Sequence, residues 1–119
     1  MSLILVVEDD AGVRTVIEEA LKARGFDVRA VANDTTAYRC LAEEAADIAV
    51  LVTDLNLGRG ASGSDVARRA LTLNPSMGVV YCTGEDTDVG RFKLRGGIIC
   101  RKPVPVAVLG DMVAALAPG

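Results

Sequence analysis

The chain has 119 residues, half of them apolar, which suits one domain closed around a single core without staples. Its formal charge of −3 provides no basic face for a phosphate backbone, so a general nucleic-acid footprint is excluded. The apolar stretches are of strand length and broken by charges, so no membrane span is expected.

Met1-Ser2-Leu3 lacks the basic region and cleavage site of a signal peptide, which makes the cytoplasm the expected location. Leu3-Ile4-Leu5-Val6-Val7 is a short apolar run that stops on Glu8-Asp9-Asp10, as a buried strand ending in an acidic turn does. From Ala11 to Arg24, apolar residues at Val13, Val16, Ile17, Ala20 and Leu21 recur at helical spacing. Asp10 is placed to cap this helix and Gly25 to end it. Asp27 to Val31 is strand-like, and Asn33-Asp34 opens a weaker helix through Leu41 to Glu44. The run from Ile48 to Val52, rich in β-branched residues, continues through Thr53 to stop on Asp54. A strand of that kind is buried on both faces, in the middle of a parallel sheet.

Leu57 to Gly63 is too rich in glycine for regular structure and is expected to be a mobile loop, with Ser64 or Asp65 starting a helix that runs to Asn74-Pro75. Met77 to Thr83 and Gly97 to Arg101 are the fourth and fifth strands, ending on Thr83-Gly84 and delivering Lys102-Pro103. Between them lie Gly90 and Gly96-Gly97, and each glycine costs ~1 kcal/mol in a helix interior, so the fourth helix should be short, irregular or mobile. Pro105 suits a first helical turn, ahead of the stripe Val106, Leu109, Met112, Val113 and Leu116. The alternation implies an α/β fold of (βα)₅ type. It is a three-layer sandwich whose parallel five-stranded sheet has right-handed crossovers and the flavodoxin-like order 2-1-3-4-5. One domain, residues 1–119, accounts for the whole chain. Phe26, Tyr81 and Phe92 read as packing residues, with Phe92 a candidate for exposure and docking. Cys40, Cys82 and Cys100 have no CxxC spacing and read as buried free thiols, and without any histidine there can be no phosphohistidine and no Ser-His-Asp triad.

In an open parallel sheet, ligands bind beyond the carboxyl ends of the strands. With strands one and three adjacent, Glu8, Asp9 and Asp54 converge there, and two carboxylates about 4 Å apart repel by roughly 4 kcal/mol at an effective dielectric near 20. A cation is required, and an all-oxygen site with few protein ligands suits Mg²⁺. Strand four adds the Thr83 hydroxyl and strand five the Lys102 ammonium. Phosphoryl transfer to Asp54 needs this set: positive charge for the equatorial oxygens, hydrogen-bond donors, and a carboxylate attacking in line. Nucleotide binding is discounted, because no GxGxxG or GKS/T follows the first strand.

Val6-Val7-Glu8-Asp9-Asp10, Thr53-Asp54-Leu55-Asn56, Cys82-Thr83-Gly84 and Arg101-Lys102-Pro103, in that order, resemble the receiver domain of two-component response regulators. The resemblance spans nearly all of the chain. It implies that Asp54 is the phosphoacceptor, Asp9 a direct Mg²⁺ ligand, Glu8 a ligand through water and the Asn56 carbonyl the third protein ligand, with Mn²⁺ able to substitute. Thr83 becomes the switch hydroxyl, Lys102 the lysine that pairs with phosphate, and Asn56 and Glu85 the positions that tune acyl-phosphate lifetime. The implied donor is a phosphohistidine on a sensor histidine kinase or phosphotransfer protein, or a small acyl phosphate. The resemblance further implies a domain that catalyses its own phosphorylation and dephosphorylation, yet acts as a switch.

Two departures from the family pattern bear on output. The switch aromatic of strand five is replaced by Ile99, and the proline four residues after the phosphoacceptor by Gly58. The shortened interval from Thr83 to Lys102 leans towards the receivers of hybrid kinases. These departures motivate an alternative, a protein-interaction module on the same fold that is never phosphorylated. A small-molecule aspartyl phosphatase shares the nucleophile but needs a cap or substrate pocket for which so short a chain has no spare residues. No membrane contact and no nucleic acid is expected for this domain, a weak homodimer is left open, and the chain is either a stand-alone regulator or a receiver from a longer protein.

Overall fold

The apolar runs of the sequence fold as the inner strands of one parallel sheet. The computed structural model describes residues 2–58, 62–84, 89–92, 94, 96–103 and 105–118, with backbone alone at 91 and 92. The strands are β1 (Leu3–Val7), β2 (Asp27–Val31), β3 (Ile48–Asp54), β4 (Gly78–Thr83) and β5 (Ile98–Arg101). Their order is β2-β1-β3-β4-β5 and every pairing is parallel, as the flavodoxin-like expectation requires.

Successive side chains on a strand leave opposite faces, and the two cores divide accordingly. Ile4, Val6, Val50, Val52, Val80 and Cys82 pack with Ile17 and Leu21 of α1 (Ala11–Ala23) and with Leu109 and Val113 of α4 (Val106–Leu116). On the other face, Leu5, Val7, Leu51, Val79 and Tyr81 meet Leu41 of α2 (Asp34–Glu44) and Val66, Ala67 and Ala70 of α3 (Gly63–Leu73). Helices on both faces explain why β1 and β3 carry no polar alternation. Each fully buried Leu or Ile contributes about 1.5–3 kcal/mol. Phe26 packs partly buried beside α1 and α4, whereas the Phe92 side chain lies outside the described residues.

Polar residues set the helix ends. Asp10 accepts from Val13 N at 3.0 Å and Asn33 from Thr36 N at 2.8 Å, each satisfying an orphan donor of the first turn. The start of α3 differs from the expectation of Ser64 or Asp65: Gly63 is already helical, because Ser62 caps it by accepting from Ser64 N at 3.1 Å. Asn74 closes α3, and its amide donates to the carbonyls of Ala45 (3.0 Å) and Ile48 (3.2 Å), tying that helix to the start of β3. Pro105 is the cap of α4 instead of part of its first turn, and Met77 and Gly97 lie just outside β4 and β5. The expected mobile loop over residues 57–63 falls partly on residues 59–61, outside those described; its flanks meet in an antiparallel bridge between Asn56 and Ser62.

Between β4 and β5 the described residues hold one 3₁₀ turn, Val89–Phe92, in place of a full α-helix. Gly90 lies within this turn and Gly96-Gly97 follow it, all poor helix formers; residues 85–88, 93 and 95 of the crossover lie outside those described. The stripe on α1 is narrower than its periodicity suggests: Val13 and Val16 are 37% and 50% exposed. The burial that Ile17 and Leu21 obtain from α4 does not extend to them. Instead they join Pro103 and Val106 along a groove of about 300 Å³ that reaches Glu8, Lys102 and Cys82.

Candidate functional site

Parallel pairing delivers the carboxyl ends of the inner strands to one rim, and register decides which residues arrive. Val7 pairs with Thr53, Asp54 with Cys82, and Thr83 with Arg101. Glu8 and Asp9 therefore follow β1 beside Asp54, Thr83 ends β4, and Lys102 follows β5. The carboxylate oxygens of Glu8, Asp9 and Asp54 lie within 4.8 Å of one another. Glu8 and Asp54 are buried, at 2% and 6% exposure, while Asp9 is open to solvent.

Negative charge this dense in a low-dielectric rim needs a counter-charge. Lys102 supplies it, with Nζ 2.6 Å from Asp54 Oδ2 and 3.0 Å from Glu8 Oε1. Its backbone is fixed by a 2.7 Å bond from Lys102 N to the Thr83 carbonyl, and the Lys102–Pro103 peptide is cis. Burial alone lowers the affinity of this ammonium for its proton, but the hydrogen bonds and charges of Asp54 and Glu8 outweigh it and hold Lys102 above its ordinary pKa. Burial pushes Glu8 up; the Asp10 amide and Lys102 pull it back, and the charge of Asp54 pushes it up again. Backbone donors complete the set: Asn56 N reaches Asp54 Oδ1 at 2.9 Å, and Asp10 N reaches Glu8 Oε2 at 3.1 Å.

The remaining sequence candidates fall in different places. Thr83 is buried at the tip of β4, at 2% exposure. Asn56 is exposed, and its side chain accepts from Gly58 N at 3.1 Å. Ile99 lies three residues short of Lys102, 39% exposed and in register with buried Tyr81, so it is not part of the rim cluster. Glu85 lies outside the described residues. Gly58 has φ +76°, a conformation closed to proline, which accounts for the missing proline.

Two residues that sequence reasoning passed over support the cluster. Arg14 Nη1 donates to the Glu8 carbonyl at 2.9 Å, holding the turn after β1 from one helical turn away; a cation four residues beyond the capping Asp10 was the available signal. Gly63 lies against the Asp54 carbonyl, where a Cβ would collide, and Thr53 Oγ1 donates to that same carbonyl at 3.1 Å. Nothing in the sequence separates Gly63 from the other glycines of its loop.

The donor set is entirely oxygen, and exposed Asp9 leaves the cluster open on one side. That chemistry fits a hard divalent cation keeping part of its water, such as Mg²⁺ or Mn²⁺, better than zinc, whose structural sites use thiolate and imidazole. The arrangement as a whole is a buried carboxylate with both oxygens oriented, an ammonium at hand, and two further carboxylates close enough to share a second cation.

Known proteins resemble this chain in sequence and in fold. The family model of the response regulator receiver domain matches residues 4–98, a span that stops short of Lys102. The DNA-binding transcriptional regulator NtrC of Rhizobium meliloti (strain 1021) is 34% identical over 90 residues, covering 76% of this chain and 18% of NtrC. The chain thus spans less than a fifth of that relative's length. The response regulator receiver protein CpdR of Brucella abortus (strain 2308) is 33% identical over 84 residues, 71% of this chain and 68% of CpdR. Among solved structures, the response regulator receiver protein from Sinorhizobium medicae WSM419 superposes with a TM-score of 0.87 at 31% identity, over 97% of this chain and 93% of that one.

Proposed function

This chain belongs to the response regulator receiver family of two-component systems, and from that premise we propose that Asp54 is its phosphoacceptor and residues 1–119 one receiver domain. Receiver domains are phosphoacceptors more than enzymes in the ordinary sense, they work with histidine kinases or phosphotransfer proteins, and the family typically binds Mg²⁺. The observation that carries the assignment here is Lys102 set against Asp54 and Glu8 together, a positive charge waiting where phosphoryl oxygens are to be received.

In this reading an Asp54 carboxylate oxygen forms the new bond to phosphorus. The bond from phosphorus to the donor atom breaks, an imidazole nitrogen on a partner or the acyl oxygen of a small phosphodonor, and the electron pair leaves with that atom. The Asn56 amide keeps the carboxylate oriented, and Lys102 shifts its pairing from carboxylate to phosphoryl oxygen while remaining bonded to Glu8. The Thr83 hydroxyl donates to a second phosphoryl oxygen, and the strand tips around it carry the change to the β4–β5 face. Glu8, Asp9, Asp54 and the Asn56 carbonyl would hold Mg²⁺ or Mn²⁺, which when bound offsets the charge of the phosphoryl group. Hydrolysis of the acyl phosphate restores the carboxylate, with Asn56 and Glu85 setting its rate. The partner is a sensor histidine kinase or phosphotransfer protein, and the proposed location is the cytoplasm. Among the described residues no helix is long and apolar enough to cross a membrane.

The test is incubation with acetyl phosphate and Mg²⁺ followed by intact mass. The expected result is addition of one phosphoryl group, absent in Asp54→Asn and after chelation. A wild-type protein that binds Mg²⁺ yet stays unmodified would overturn the proposal. A second reading, an interaction module that works unphosphorylated, draws on exposed Ile99 in the place of the switch aromatic. Failure to bind Mg²⁺ in a titration would favour it.

A further inference from the structure

Two thiols that the proposed chemistry does not use are neighbours across a strand boundary. Cys82 of β4 pairs in register with Cys100 of β5, and because the strands are parallel both side chains leave the same face, into the core under α1 and α4. They are 2% and 4% exposed. Adjacent strands lie about 4.7–4.9 Å apart, inside the Cα separation of roughly 4.4–6.8 Å that a disulfide spans. The third thiol, Cys40, is on α2, across the sheet. Buried as it is, Cys82 lines the groove of about 300 Å³ between α1 and α4, which admits a molecule the size of a peroxide.

We propose that Cys82 and Cys100 form an oxidative modification site, closed into an intramolecular disulfide by a peroxide. Cys82, on the groove, attacks one peroxide oxygen through its sulfur, and does so slowly, because burial keeps its thiol protonated. The O–O bond breaks, a sulfenic acid forms, and the departing oxygen takes the thiol proton and leaves as water. Cys100 sulfur then attacks the sulfenic sulfur, the S–O bond breaks, and that oxygen leaves with the Cys100 proton as a second water. Two thiols give up two electrons, and one peroxide becomes two waters. Parallel side chains stand near the strand spacing, wider than the roughly 3.8 Å mean Cβ separation of a disulfide, so closure draws the strands together and yields a bond of the readily reduced kind. It fixes the two strand tips that carry Thr83 and Lys102, and it forms whether or not Asp54 takes up phosphate.

The experiment is to treat the intact protein with hydrogen peroxide, alkylate remaining thiols under denaturing conditions, and digest with trypsin. Cleavage places Cys40 in residues 40–59, Cys82 in 70–91 and Cys100 in 96–101. The expected product is peptide 70–91 linked to peptide 96–101, released by dithiothreitol, retained in Cys40→Ser and absent in Cys82→Ser and Cys100→Ser. The wild-type digest decides the matter even where a serine variant fails to fold. Peptides 70–91 and 96–101 recovered only unlinked, from protein whose Cys40 has been oxidised, would overturn the proposal.

Discussion

The backbone of Gly63 presses on the carbonyl of Asp54, so closely that a Cβ at position 63 would collide with that oxygen and come within 2.7 Å of Thr53 Oγ1. Neither obstacle is a flexible side-chain end: one is the main chain of a central strand, the other a buried β-branched residue. Gly63→Ala should therefore lower stability by about 1–3 kcal/mol, the usual cost of forcing atoms into a packed interior. The urea midpoint should fall with its slope unchanged, and a midpoint equal to wild type would show that α3 can back away freely.

Lys102→Ala removes the cation that separates Glu8 from Asp54 and leaves two buried carboxylates facing each other. The expected loss is about 1–3 kcal/mol without divalent metal, reduced from the fully buried case because Lys102 is partly exposed. Mg²⁺ should restore more stability to the variant than it adds to wild type, since the ammonium no longer competes for the same oxygens. Thermal melts with and without Mg²⁺ measure both effects; an equal Mg²⁺ increment in the two proteins would contradict the competition.

Alkaline pH should destabilise the fold through its thiols. Burial pushes Cys82 from an ordinary 9.0 up to about 12 in the folded chain, so between those values the folded state keeps a proton that the unfolded state has lost. Stability then falls as pH rises, by about 1.4 kcal/mol per pH unit for this proton. Cys40, pushed up to about 11 by burial and the adjoining Glu44, acts in the same direction. Denaturation midpoints from pH 8 to 11 (about that range suffices) should decline less steeply in Cys82→Val than in wild type; parallel curves would remove Cys82 as a source.

Asn56 keeps its backbone donation to Asp54 whatever side chain it carries, whereas its amide group faces Gly58 and solvent. On the receiver reading, Asn56→Arg should change the decay rate of phosphorylated protein several-fold while leaving the unfolding midpoint in place. Decay followed by mass after removal of acetyl phosphate decides it, and identical half-lives would exclude the role.

The strands and their order were legible because burial on both faces writes itself as unbroken apolar runs, and the rim because each run stops on a charged or hydroxylated residue. Asp10 and Asn33 were legible as caps for an equally local reason, an oxygen three residues ahead of an orphan N–H. What escaped depends on distant partners. Val13 and Val16 fit the helical period of α1, yet their exposure depends on how far α4 extends over them. The collision that requires glycine at 63 exists only once α3 is docked beside β3. Likewise the sequence placed Lys102 opposite an acidic cluster, but that its ammonium contacts both Glu8 and Asp54 follows from the lateral spacing of strands.

The ladder does not stop at Asp54. Leu55 N still donates to the Cys82 carbonyl at 2.9 Å, so the main chain on both sides of Asp54 is riveted to β4. On the receiver reading, a carboxylate mounted so stiffly would not retreat when a phosphoryl group is added to it. Any displacement would start from a fixed centre and be taken up away from it.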